Sequence, residues 1–202
     1  MTALFFTGEI GESYAQTRKI LVLGDSLVAG YGLKLEEAFP ARLESRLKQD
    51  GYDVSVINAG VSGDTTGGGL TRLDWTLQHN PDYAIIVLGA NDMLRNIDRK
   101  ITQNNLEKIL TRLTEKRIPV LLTGMKSFRN MHVKDIFSNS FQDMYADLAD
   151  KHGADFYPFF LEGVAMDATL NLEDGIHPNP RGVEVIVNNI YDDVKKLLKK
   201  KG

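Results

Sequence analysis

The chain contains no cysteine. That excludes disulfides, a thiol nucleophile and cysteine-ligated zinc, and it fits either redox compartment. No apolar run approaches the ~18 residues of a membrane-spanning helix, so no integral membrane segment is expected. Basic residues are not in excess, and a net charge of −3 speaks against a nucleic-acid partner. Gly67-Gly68-Gly69 has neither the lysine of a P-loop nor dinucleotide-binding spacing, so it is not read as a phosphate cradle. His79, His132 and His152 lack partners at ligand spacing, which leaves no metal site and makes them surface or helix-end residues.

What remains is a chain of 202 residues, 43% of them hydrophobic, without repeats or low-complexity segments. This is enough for one globular domain with a sizeable core, read here over residues 19–202. Residues 1–18 are set apart as an N-terminal tail or a signal remnant. Their apolar stretch is short and no basic segment precedes it, but Ser13-Tyr14-Ala15 has the small-x-small form of a cleavage site.

Short apolar runs at 20–23, 54–57, 83–88, 119–123 and 154–157 predict five strands. Helices are predicted over 35–50, from Leu70 to about residue 80, and over 102–116, 135–151 and 180–200. Residues 159–172 read as irregular or as broken helix. Strands alternating with helices predict an α/β fold with a parallel sheet between helical layers. The final lysine cluster reads as a solvated helix end.

The stretch that organises the rest is Ile20-Leu21-Val22-Leu23 followed by Gly24-Asp25-Ser26. It places a serine just beyond the carboxyl end of a buried strand, where ligands bind in open α/β sheets. A serine hydroxyl needs a base to act as nucleophile, and the base needs an acid to fix its tautomer. Asp174-Gly175-Ile176-His177-Pro178 offers both in one tight turn. Alone, that string reads first as a turn bearing a surface histidine. Other loops change the weighting, because attack on an acyl carbonyl creates an oxyanion that needs aimed donors. The Ser26 N–H, the Gly63 N–H and the Asn91 side chain, each following a strand, are the candidate oxyanion hole. Asp25, Asp64 and Asp92 read as braces for their loops. Trp75 reads as core or rim.

These blocks resemble those of the GDSL, or SGNH, hydrolases. Gly24-Asp25-Ser26-Leu27 is similar to the first block, residues 60–64 to the second, Gly89-Ala90-Asn91-Asp92 to the third, and the segment from Asp174 to Pro178 to the fifth. Within the family, the strings resemble the bacterial acyl-CoA thioesterase I, lysophospholipase and arylesterase group. Ala90 departs from the Gly-Gly common in that group, which questions the local backbone. The resemblance implies a flavodoxin-like three-layer α/β/α fold and no metal or organic cofactor. It also implies hydrolysis of short- to medium-chain acyl esters and thioesters, lysolipids included, in a periplasmic or secreted setting, with a cytoplasmic one left open. Catalytic roles then fall on Ser26, Asp174 and His177. The same residues would serve a carbohydrate O-acetyl esterase, and a broken site would leave a ligand-binding domain. Met125, Phe128 and Met131, in the loop after the fourth strand, are expected to line the acyl groove, unless that loop only packs on a helix.

Overall fold

A computed structural model describes residues 17–126 and 136–200, with the backbone alone for 136–140. The apolar runs form β1 (Arg18–Gly24), β2 (Val54–Gly60), β3 (Tyr83–Val87), β4 (Val120–Thr123) and β5 (Asp155–Tyr157). They pair in parallel in the order β2-β1-β3-β4-β5. Central β3 and β4 are buried at every position, whereas the edge strands β2 and β5 show partly exposed residues. Continuous apolar runs mark strands covered on both faces, which is why these runs were legible without alternation.

The connections are helical: α1 (Ser26–Ala29), α2 (Phe39–Gln49), α3 (Thr66–Thr76), α4 (Ala90–Leu94), α5 (Arg99–Glu115), α6 (Ile136–His152) and α7 (Pro180–Leu197). Helix α2 packs with α7, and α5 packs with α3 and α6, giving the three-layer α/β/α arrangement. Among the described residues no helix is long and apolar enough to cross a membrane.

The strand order reverses between β1 and β3. At such a switch point the loops leaving the two strands diverge to opposite faces and open a crevice at their carboxyl ends. Ser26 follows β1, and Asn91 follows β3, so the crevice receives both. The returning partner comes from the far end of the chain. Helix α7 buries Val183, Ile186, Val187, Ile190, Val194 and Leu197 at three- and four-residue spacing. Each such burial contributes about 1.5–3 kcal/mol, so the segment leading into α7 is held by the core.

Several boundaries differ from expectation. β1 begins at Arg18, inside the stretch set apart as tail, and the Arg18 N–H donates to Asp53 O at 3.2 Å. Residues 1–16 lie outside the described residues. The helix expected over 35–50 divides into a 3-10 turn and α2, because Pro40 belongs in a first helical turn and not inside a helix. α3 starts at Thr66, earlier than Leu70, because Thr65 Oγ1 caps it by accepting the Gly68 N–H at 3.3 Å. α1 and α4 are too short to show a period. Trp75 is on the surface, 65% exposed.

The start of α7 rests on Asn179. Its Oδ1 accepts the N–H groups of Arg181 and Gly182, both at 3.0 Å. Its Nδ2 donates to Thr169 O and Asn171 O. Replacing Asn179 by Ala is expected to destabilise the fold by about 1–2 kcal/mol, read as a Tm lower by roughly 2–8 °C. An unchanged Tm would show that the cap is dispensable.

Candidate active site

The segment around His177 folds back on itself. Leu172 N–H donates to His177 O at 2.8 Å, and Gly175 N–H donates to Leu172 O at 2.9 Å. Inside this turn Asp174 Oδ1 accepts the N–H groups of Ile176 and His177 at 2.9 and 3.0 Å. Its other oxygen, Oδ2, lies 2.7 Å from His177 Nδ1. Burial alone would raise the Asp174 carboxyl, but the His177 N–H, the His177 ring and the Ile176 N–H outweigh it and hold the group down at about 2. An ionised carboxylate only accepts, so Nδ1 carries the ring proton and Nε2 presents its lone pair. His177 Nε2 lies 2.9 Å from Ser26 Oγ.

Ser26 opens α1, and Asp25 caps that helix by accepting the Leu27 N–H at 3.0 Å. The Ser26 N–H is therefore a helix-start donor without an intrahelical acceptor. Gly63 follows β2 at φ +83°, a conformation costly for a residue with a Cβ. Its carbonyl is turned back to the Arg95 guanidinium, with Nη2 donating at 2.7 Å. Neither the Ser26 nor the Gly63 N–H has a protein acceptor among the described residues. The Asn91 amide donates to Asp64 O at 2.9 Å and, more weakly, to Asp25 Oδ2 at 3.2 Å. Ala90 takes the first position of α4 in ordinary helical backbone, so alanine fits there without strain.

The three acids expected to brace loops do so. Arg72 Nε donates to Asp64 Oδ2 at 2.6 Å, and its Nη2 reaches Gly24 O at 2.8 Å, tying the first loop to the second. Asp92 is fully buried and accepts from the Thr66 N–H and hydroxyl and from the Thr102 hydroxyl. Asp25 is fully buried too, and burial, against the pull of the Leu27 N–H and Asn91, pushes its carboxyl up to about 6.

Ser26, Gly63, Asn91 and His177 open on a cavity of about 570 Å³, within the usual range of small-ligand pockets. Its wall includes Leu27, Met93, Met125, Leu161, Ala165 and Met166. Met125, expected on an open loop, is buried (2% exposed) and reaches the cavity as a core residue. Phe128, Met131 and His132 lie outside the described residues. Leu161, Ala165 and Met166 were missed because the segment carrying them has no period. Tyr31 and Arg95 were missed as site residues, although they stand just beyond the first and third blocks quoted above.

The family model for the GDSL-like lipase/acylhydrolase family matches residues 22–185. The chain belongs to that family. Over 183 residues it is 38% identical to an arylesterase of Vibrio mimicus, covering 90% of each chain. Over 161 residues it is 35% identical to thioesterase 1/protease 1/lysophospholipase L1 of Escherichia coli K12, covering 79% of this chain and 75% of the relative. Among solved structures it resembles the psychrotrophic esterase EstA from Pseudoalteromonas sp., inhibited by monoethylphosphonate. There the identity is 33%, the TM-score 0.83, and the coverage 91% of this chain and 100% of that one.

A raised acid has a definite effect on stability. Between the ordinary carboxyl value of 3.8 and about 6, the folded protein holds a proton on Asp25 that the unfolded chain has released. Stability is therefore lost as pH rises through that window. Asp25→Asn removes this dependence. The stability of the parent minus that of the variant is expected to fall by up to about 3 kcal/mol between pH 4 and pH 7. Denaturant titrations at the two pH values measure it, and a difference independent of pH would show that Asp25 is ionised throughout.

Proposed function

We propose that this GDSL-family enzyme hydrolyses short- to medium-chain acyl esters and thioesters with Ser26 as nucleophile, His177 as base and Asp174 as its orienting acid. The observation that carries the reading is the unbroken line from Asp174 Oδ2 through His177 to Ser26 Oγ, with contacts of 2.7 and 2.9 Å. The arylesterase and thioesterase names of the relatives support the ester and thioester substrate class.

In this reading Nε2 takes the hydroxyl proton as Ser26 Oγ attacks the acyl carbon. Asp174 stabilises the imidazolium through Nδ1–H without itself becoming protonated. The developing oxyanion takes the unused N–H groups of Ser26 and Gly63. It also takes an Asn91 hydrogen, at the expense of the longer bond to Asp25. His177 then protonates the departing alcohol or thiol. Water, deprotonated by the same nitrogen, attacks the acyl-serine; Nε2 returns that proton to Ser26 Oγ as the acyl–oxygen bond breaks and the acid leaves. Each step uses one base twice, which is why its orientation must be kept throughout. The apolar wall, with Met125 as its deep end, takes the acyl tail.

Ser26→Ala and His177→Ala are each expected to lose most of kcat on butyryl esters and butyryl thioesters while remaining folded. The double variant should be little worse than either, because the groups act as a unit. Losses that multiply would separate the two residues.

Asn91→Ala is expected to lower kcat by roughly 10²–10³ with KM nearly unchanged, since an oxyanion contact strengthens in the transition state. A raised KM with kcat intact would make Asn91 a substrate-binding residue instead.

A further inference from the structure

We propose that Tyr31 is a positioning residue for the base: its ring face braces the His177 imidazole and keeps Nε2 aimed at Ser26 through the reaction cycle. The proposal rests on the reading of His177 as the base. The two rings lie with centroids 4.4 Å apart and planes at 35°. Tyr31 is 52% exposed, so core packing does not account for its place.

Its position is fixed from two sides. The Tyr31 N–H donates to Ser26 O at 3.2 Å, which ties it to the helix of the nucleophile. Next to it Gly32, at φ +74°, lies so close to Leu172 that an added Cβ would come within 2.7 Å of the Leu172 Cδ1 atom. Leu172 in turn receives its backbone bond from the turn of His177, its N–H donating to His177 O. The loop bearing Tyr31 thus spans the nucleophile and the base. The tyrosine hydroxyl has no hydrogen-bond partner among the described residues, so the contact is made by the ring face.

The chemistry calls for such a brace. In the resting enzyme the imidazole is held at both nitrogens, by Asp174 and by Ser26. Once Ser26 is acylated its hydroxyl proton is gone and the Nε2 bond is lost. Only Asp174 then holds the ring, and rotation about that single bond would carry Nε2 away from the incoming water. A ring against its face blocks that rotation. When His177 carries the extra proton, the π face of Tyr31 also attracts the cation.

The test compares Tyr31→Phe and Tyr31→Leu in the full chain on acetyl, butyryl and octanoyl p-nitrophenyl esters, with Tm as the check on folding. Tyr31→Leu is expected to lower kcat roughly threefold to thirtyfold by the same factor on all three esters, with KM nearly unchanged. Labelling of Ser26 by a fluorophosphonate should slow as well. Tyr31→Phe should restore both. If the Leu variant does not fold, Tyr31→Met removes the π face in its place. A non-aromatic variant with wild-type kcat, a loss confined to KM or to one chain length, or a Phe variant as impaired as Leu would each overturn the proposal. The parent reading fails separately: if His177→Ala stays active, there is no base to brace. If His177→Ala is inactive and Tyr31→Leu is not, the brace alone is wrong.

Discussion

A carboxylate without access to water must be satisfied by its neighbours, and the carboxylate of Asp92 sets much of the site on that condition. It accepts from the first residue of α3 and from the first turns of α5, while itself sitting in α4. The loops after β2 and β3 are thereby drawn to one point beneath the crevice. Asn91, one residue before it, is aimed by consequence, because the main chain on which it sits is held from below. The Tyr145 hydroxyl, fully buried, adds a second tie by donating to Leu88 O at 2.8 Å just before that turn. Arg72 joins the second loop to the first. The aim of the Asn91 amide is thus a by-product of satisfying buried polar groups.

Two acids near the serine have been driven in opposite directions. Asp174 sits in a polar turn where two N–H groups and a ring nitrogen favour its charge, and its carboxyl lies at about 2. Asp25 is sealed from water, with its charge supported chiefly by Leu27 and Asn91, and its carboxyl lies at about 6. Pairs of titratable groups pushed apart by their surroundings mark sites where roles have been divided. Asp174 is the one whose charge faces the Nδ1 proton. Asp25 is the one that builds the floor.

Much of this was legible in the residues. The strands were, because runs such as Ile20 to Leu23 are apolar at every position and central strands of a parallel sheet must be. The groups of the site were, because four loops each supplied a residue type that acyl transfer requires. The short helices α1 and α4 were not, since four or five residues show no period and their start depends on caps. The early start of α3 was hidden because three consecutive glycines argue for a loop, and only the Thr65 cap and the buried Thr66–Asp92 contact overrule them. The segment from Phe159 to Leu172 was opaque for another reason. It is turns packed by long-range contact, with the Phe160 N–H donating to Gly124 O and Asn189 Nδ2 donating to Glu162 O, and no local pattern encodes that. Tyr31 stood just past the first block, but its neighbour across the chain was not in view there.

In the proposed mechanism the nucleophile and its base stand 151 positions apart. At ordinary rates of synthesis roughly 8–30 s pass between the making of the two. Through that interval the growing chain carries the serine, the capped α1 and the first strands, yet no imidazole to activate them. Even then His177 is placed only when α7, which follows it, packs against the sheet. In that mechanism the hydroxyl therefore lacks its base on the ribosome and in any product cut short before that helix. Reactivity appears last, as a property of the finished molecule. Hydrolysis of an ester by this protein would in that sense also be a report that two distant stretches of its chain have met.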